Sequence, residues 1–90
     1  MKLASIYELV RVELEEILKI GRTDNLALDK KARALSKAID DKLEEIYDRV
    51  DRDKEGRKLL GYIEDVQDIA GGRAFKVYTK LEDIDLNHEV

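Results

Sequence analysis

The chain has 90 residues, 42% of them charged, with 17 Lys and Arg against 21 Asp and Glu for a net charge of −4. That length fits one domain (1–90) whose core only just offsets chain entropy. The lack of cysteine excludes a disulfide framework or a thiolate metal site. The acidic balance argues against direct nucleic-acid binding, which is driven by neutralising phosphates.

No apolar run approaches the roughly 20 residues that span a bilayer. Met1-Lys2-Leu3-Ala4-Ser5 is interrupted by Glu8 and Arg11 too soon for a secretory signal. A cytoplasmic protein with no membrane contact and no cofactor is expected. The absence of proline suits uninterrupted helices.

The first predicted helix starts at Ala4 or Ser5. Ser5 as N-cap places Glu8 at capping-box spacing. Ile6, Val10, Leu14 and Ile17 form its apolar face, with Leu3, Leu9 and Leu18 beside them. Gly21 is a natural stop, and Lys19 and Arg22 suit the negative helix end. Thr23-Asp24-Asn25 is turn chemistry, with Asp24 or Asn25 able to cap the next helix.

The second predicted helix runs to about Arg52. Leu28, Ala32, Leu35, Ile39, Leu43, Ile46 and Val50 recur every three or four residues, which puts them on one stripe of a helix and no face of a strand. Asp51 to Gly56 reads as a polar connection. The third helix then carries Leu59, Leu60, Ile63, Val66 and Ile69 or Ala70 on its face, interrupted by Gly61 and ended by Gly71-Gly72. From Arg73 to Leu86 two periodicities compete. Phe75, Val77, Thr79 and Leu81 alternate as in a strand, whereas Phe75, Tyr78, Leu81 and Ile84 approximate a helical stripe. With no second strand to pair, a short helix is the expected form. The tail at about 87–90 is expected to fray. The predicted fold class is therefore all-α: a small antiparallel three-helix bundle with a short fourth element after Gly71-Gly72.

Candidate chemistry is sparse. Asp51, Asp53, Glu55 and Gly56 imitate half of a calcium-binding EF-hand loop, but the position of the bidentate glutamate is Tyr62, so a solvated turn is the better reading. His88, the only histidine, lies near the terminus on a poor platform for catalysis, Ser5 and Ser36 have no partner groups beside them in sequence, and His88 reads as a tag-like or solvent histidine. Glu13, Glu15, Glu16, Glu44 and Glu45 lack the Glu-x-x-His spacing of di-iron bundles and read as solvated faces. Lys54, Arg57, Lys58, Arg73, Lys76 and Lys80 could line one basic face near Tyr62 and Tyr78, offset by Glu64, Asp65, Asp68, Glu82 and Asp83. No catalytic or metal residue is assigned.

Ile6-Tyr7-Glu8-Leu9-Val10-Arg11, the helix from Leu26 to Tyr47, and Arg57-Lys58-Leu59-Leu60-Gly61-Tyr62-Ile63 leading to Arg73-Ala74-Phe75-Lys76-Val77 together resemble the N-terminal helical domain of the GINS replication-complex subunits. The resemblance implies a scaffold subunit of a DNA-replication assembly. Leu35-Ser36-Lys37-Ala38-Ile39-Asp40 is similar to the Ser-Gln-Glu-Leu-Asp motif of sporulation aspartyl-phosphate phosphatases, which would imply a helical hairpin acting on response regulators. A nucleic-acid-associated regulator is a third reading.

So small and charged a chain has little core to spare, yet apolar residues occupy more than one face late in the sequence. Leu59, Leu60, Ile63, Phe75, Val77, Tyr78 and Leu81 are therefore the expected contacts to a protein partner or a second copy in a homo-oligomer. The alternative is that the segment after the glycines folds back to cap its own bundle.

Overall fold

The computed structural model describes residues 1–20 and 25–90. Four α-helices lie among them: α1 (Leu3–Ile20), α2 (Asn25–Lys42), α3 (Tyr47–Arg52) and α4 (Lys54–Ala70). There is no β-strand among the described residues, only an isolated bridge between Lys2 and Glu89. The all-α class is thus as the periodicity predicts. The expected stop at Gly21 and the turn and cap at Thr23 and Asp24 lie outside the described residues.

Helix α1 buries Leu3, Ile6, Tyr7, Val10, Leu14 and Ile17; of the face expected, Leu9 is only partly buried and Leu18 is exposed, while Tyr7 is added. It packs against α2 and α4. Its start is corrected: Ser5 lies inside the helix instead of capping it. The orphan amides of the first turn are satisfied by the far end of the chain, with Leu3 N–H donating to the His88 carbonyl at 3.0 Å and Ala4 N–H to the Leu86 carbonyl at 2.8 Å. The tail is consequently not frayed. Val90 N–H also donates to the Met1 carbonyl at 2.9 Å, closing the two ends together.

The single helix expected to run unbroken to about Arg52, which would span 25–52 from the observed start of α2, is broken into α2 and α3 by a turn at residues 43–46. At 1.5 Å per residue, a straight helix over that span would reach about 42 Å, longer than the whole molecule's greatest extent of 37 Å. Its last turns would overhang α1 and α4 and leave Ile46 and Val50 without a surface to cover. The break lets Leu43 and Val50 both enter the core, with α3 folded onto α4. Leu35 is buried as expected, while Ile39 and Ile46 are only partly so.

Asp53 begins α4 as its N-cap, its Oδ1 accepting from Gly56 N–H at 3.0 Å, so the helix starts before the predicted polar connection ends. Helix α4 packs against each of the other three. Leu59, Leu60, Tyr62, Ile63, Val66, Ile69 and Ala70 are all buried on it. Its end is the expected glycine stop. Gly72 has φ +76°, Arg73 N–H donates to the Asp68 carbonyl at 2.8 Å and Gly72 N–H to the Ile69 carbonyl at 3.1 Å, the bonding of a Schellman motif.

The helix expected between Arg73 and Leu86 does not form. Apart from a 3-10 turn at Leu81–Asp83, the segment is an irregular strap that runs back along α4. Asp65 of α4 accepts from Tyr78 N–H and Thr79 N–H, both at 3.0 Å, and Glu55 accepts from Asp85 N–H at 3.2 Å. Ile84 is buried, and Ala74, Val77, Leu81 and Leu86 pack partly against the core. Side-chain acceptors on α4 and apolar pegs take the place of the regular hydrogen bonds that helix or strand would have supplied.

Candidate functional site

The predicted partner residues divide into three kinds once folded. Leu59, Leu60 and Ile63 are core residues of α4 and are corrected as partner contacts. The apolar surplus that suggested them exists because α4 has neighbours on several sides, so a face wider than one stripe is consumed internally. Val77 and Leu81 are partly buried pegs of the strap. Phe75 and Tyr78 point outward, 83% and 71% exposed. The fold-back alternative therefore describes the inner side of the strap and leaves its outer side open.

The outer side has a distinct chemistry. Arg73, Phe75, Lys76, Tyr78 and Lys80 are all exposed, and no acidic residue occurs between Asp68 and Glu82. Lys76 Nζ lies 5.2 Å from the centroid of the Tyr78 ring, a cation–π distance. The adjacent acids are engaged: Asp65 accepts the two strap amides, and Asp68 pairs with Arg73 at 3.2 Å. An irregular segment pinned at fixed points can hold such side chains in place without burying them.

Two depressions flank the strap. An open cleft of about 830 Å³ lies between α1, α4 and the strap, with Leu18, Tyr62, Val77, Leu81, Ile84 and Leu86 among its lining residues. The Tyr62 ring sits 6.5 Å from that of Tyr7 in an edge-on arrangement. Burial raises the pKa of both phenols and keeps them neutral. A smaller cleft of about 340 Å³ lies where the start of the strap meets α2, lined by Ala32, Arg33, Ser36, Gln67, Gly71 and Arg73. Its polar members come from three separate stretches of sequence, and no motif joins them.

The other candidates resolve plainly. Asp53 and Gly56 of the EF-hand-like run serve the α3–α4 corner, and among the described residues no cluster of His, Cys, Asp and Glu could hold a metal ion. Lys54, Arg57 and Lys58 line their own shallow depression at the start of α4, whereas Arg73 sits at its end, so the predicted single basic face is split. Glu15 pairs with Arg11 and Glu16 with Lys31 on the helix surface. Ser36 and Asp40 of the phosphatase-like motif are exposed and line different depressions.

His88 is not the solvent histidine that its place in the sequence suggests. Its Nε2 donates to Asp53 Oδ2 at 2.9 Å in a partly buried setting. The hydrogen bond with Asp53 raises the His88 pKa above its ordinary value, and the same bond lowers that of Asp53. The partners are far apart in sequence, so no local pattern could have shown the pair.

No family model, curated protein or solved structure matches the chain. Among the described residues, no helix is long and apolar enough to cross a membrane.

Proposed function

We propose that the chain is a non-catalytic interaction or scaffold subunit that engages a protein through the outer side of the strap. The observation that carries this reading is the exposure of Phe75 and Tyr78 on a segment tied to α4 through Asp65. Large aromatic side chains held at the surface at fixed positions lose little freedom on binding, and aromatic anchors supply a large share of binding energy at interfaces. The likeness to the GINS N-terminal domain makes a DNA-replication assembly the natural setting, and the partner is a second copy or another subunit of that assembly.

Affinity capture from the native host with wild type and with a Phe75→Ala/Tyr78→Ala variant tests the proposal, alongside sedimentation of the purified chain. Wild type captures a stoichiometric partner or self-associates, and the variant does neither while remaining folded. A wild-type chain that stays monomeric and captures nothing, or a variant that behaves like wild type, rejects it. Hydrolysis of an acyl phosphate on a receiver domain would instead favour the phosphatase reading.

A further inference from the structure

We propose that the strap and the small cleft beside it form a binding site for an acidic, extended segment of protein, with carboxylates seated at Arg33 and Arg73 and an apolar side chain against Phe75 and Tyr78. This deepens the interaction reading above and rests on it. Three observations point to such a partner.

The first is charge. Arg73, Lys76 and Lys80 fall in a stretch with no acidic residue, on a chain whose total charge is −4. The strap is thus a local basic feature on an acidic molecule, and complementary potentials favour an anionic partner while like charge elsewhere repels misplaced docking. The second is the cleft. Arg33 from α2 and Arg73 from the strap line the same depression, together with the Ser36 hydroxyl and the Gln67 amide. Guanidinium groups present planar forks that match carboxylates, and the hydroxyl and amide can complete the hydrogen bonds. Each arginine has an aspartate beside it, Asp29 for Arg33 and Asp68 for Arg73, both at 3.2 Å. Exposed pairs of this kind are weak and readily exchanged for an incoming carboxylate. The third is the pair of exposed aromatics, Phe75 and Tyr78, that follow Arg73 on the strap, with Lys76 between them in sequence and Lys80 after them. Along the strap, cations and aromatics alternate after the cleft: Arg73, Phe75, Lys76, Tyr78, Lys80.

Single-stranded nucleic acid also combines negative charge with stacking faces. The overall acidity disfavours it, because affinity for a polyanion depends on neutralising successive phosphates along its length. A short acidic segment needs only the local cations.

Fluorescence anisotropy with the full chain decides between them. The probes are a labelled peptide built from Asp, Glu and Leu, its counterpart with Lys for the acids, and single-stranded oligothymidylate. The acidic peptide binds, the basic one does not, and oligothymidylate binds more weakly than the acidic peptide. Raising salt from about 0.05 to 0.5 M weakens binding by about tenfold or more. Combined Arg73→Glu, Lys76→Glu and Lys80→Glu reduces affinity by a similar factor, and Lys76→Glu alone gives a measurable loss if the triple variant misfolds. Amide shifts on titration include Arg33 and Ser36 as well as the strap. Absence of acidic-peptide binding, binding untouched by Lys76→Glu and salt, or preference for oligothymidylate overturns the proposal. If native capture is lost in the Phe75→Ala/Tyr78→Ala variant yet persists after charge reversal, the interaction reading stands and the acidic partner is rejected.

Discussion

Two glycines in α4 show how one residue type can serve opposite needs. A Cβ built at Gly56 would lie 2.2 Å from the Val50 carbonyl oxygen and 2.9 Å from Val50 Cγ1, because α3 crosses the start of α4 there at backbone contact. No left-handed conformation is involved, since Gly72 alone among the described residues has positive φ. A Cβ at Gly61 meets only Thr79 Oγ1 at 3.7 Å, an ordinary contact. Gly56→Ala should therefore destabilise by about 1–3 kcal/mol through forced separation of the two helices. Gly61→Ala should stabilise by roughly 0.5–1 kcal/mol, since alanine is the better helix former. Denaturant midpoints for the two variants should move in opposite directions, and a shared direction would refute the steric assignment. From sequence, Gly56 reads only as a turn residue, because the approach of Val50 exists only after α3 has folded back.

Helix α2 illustrates what periodicity predicts at the level of an element. Leu35 is fully buried, whereas Ile39, on the same stripe one turn later, is half-covered as the helix nears its break. Leu35→Ala should cost about 2–5 kcal/mol, the usual penalty for emptying a core position. Ile39→Ala should cost less, about 1–2 kcal/mol, in keeping with partial burial. Equal losses in urea unfolding would imply that the stripe continues unbroken past residue 42. The break carries no sequence signal of its own: Leu43-Glu44-Glu45-Ile46 contains no glycine or proline and has good helix formers. Its cause is the limited reach of α1 and α4, and tertiary packing overrides local preference. The strap reverses the lesson. Two periodicities compete in it, yet neither regular form appears, because Asp65 and Glu55 on α4 accept its amides instead.

Across the whole molecule, the last residues join the starts of α1 and α4. His88 contributes its backbone carbonyl to Leu3 N–H and its ring to Asp53, while Glu55 holds Asp85 and also pairs with Lys58 at 2.8 Å. The groups facing the His88 ring are thus acidic on balance: Asp53, Glu55 and Asp85. Because its pKa is raised in the folded state, His88 adds stability that is complete below about pH 6.5 and lost as pH rises through the raised value. Asp53 is lowered in the folded state, so its contribution is present above about pH 4 and lost as pH falls through the depressed value. The closure should be tightest at about pH 4–6.5. Hydrogen exchange at the Leu3 and Ala4 amides, corrected for intrinsic rates, should report protection falling as pH rises from about 6 to 8.5. His88→Gln should flatten that dependence, and an unchanged profile would show that the ring pair does not hold the tail.

Local sequence alone was enough for the helical class, most of the buried stripe of α1, the helical form of α4 and the stop at Gly71-Gly72. These come from residue spacing and from backbone chemistry that acts within a few residues. Phe75 and Tyr78 also stand out at that level, since large apolar side chains in excess of one stripe per helix need some destination. Which of the surplus residues stay outside was settled only by the assembled core. Leu59, Leu60 and Ile63 go inward because α4 has several neighbours, a fact no single-helix pattern contains. The same holds for the Arg33–Arg73 cleft, the Asp53–His88 pair and the capping of α1 by the tail, each built from residues far apart along the chain. Such contacts depend on where the chain returns, and that is set by closing the whole core at once, where local spacing carries no information.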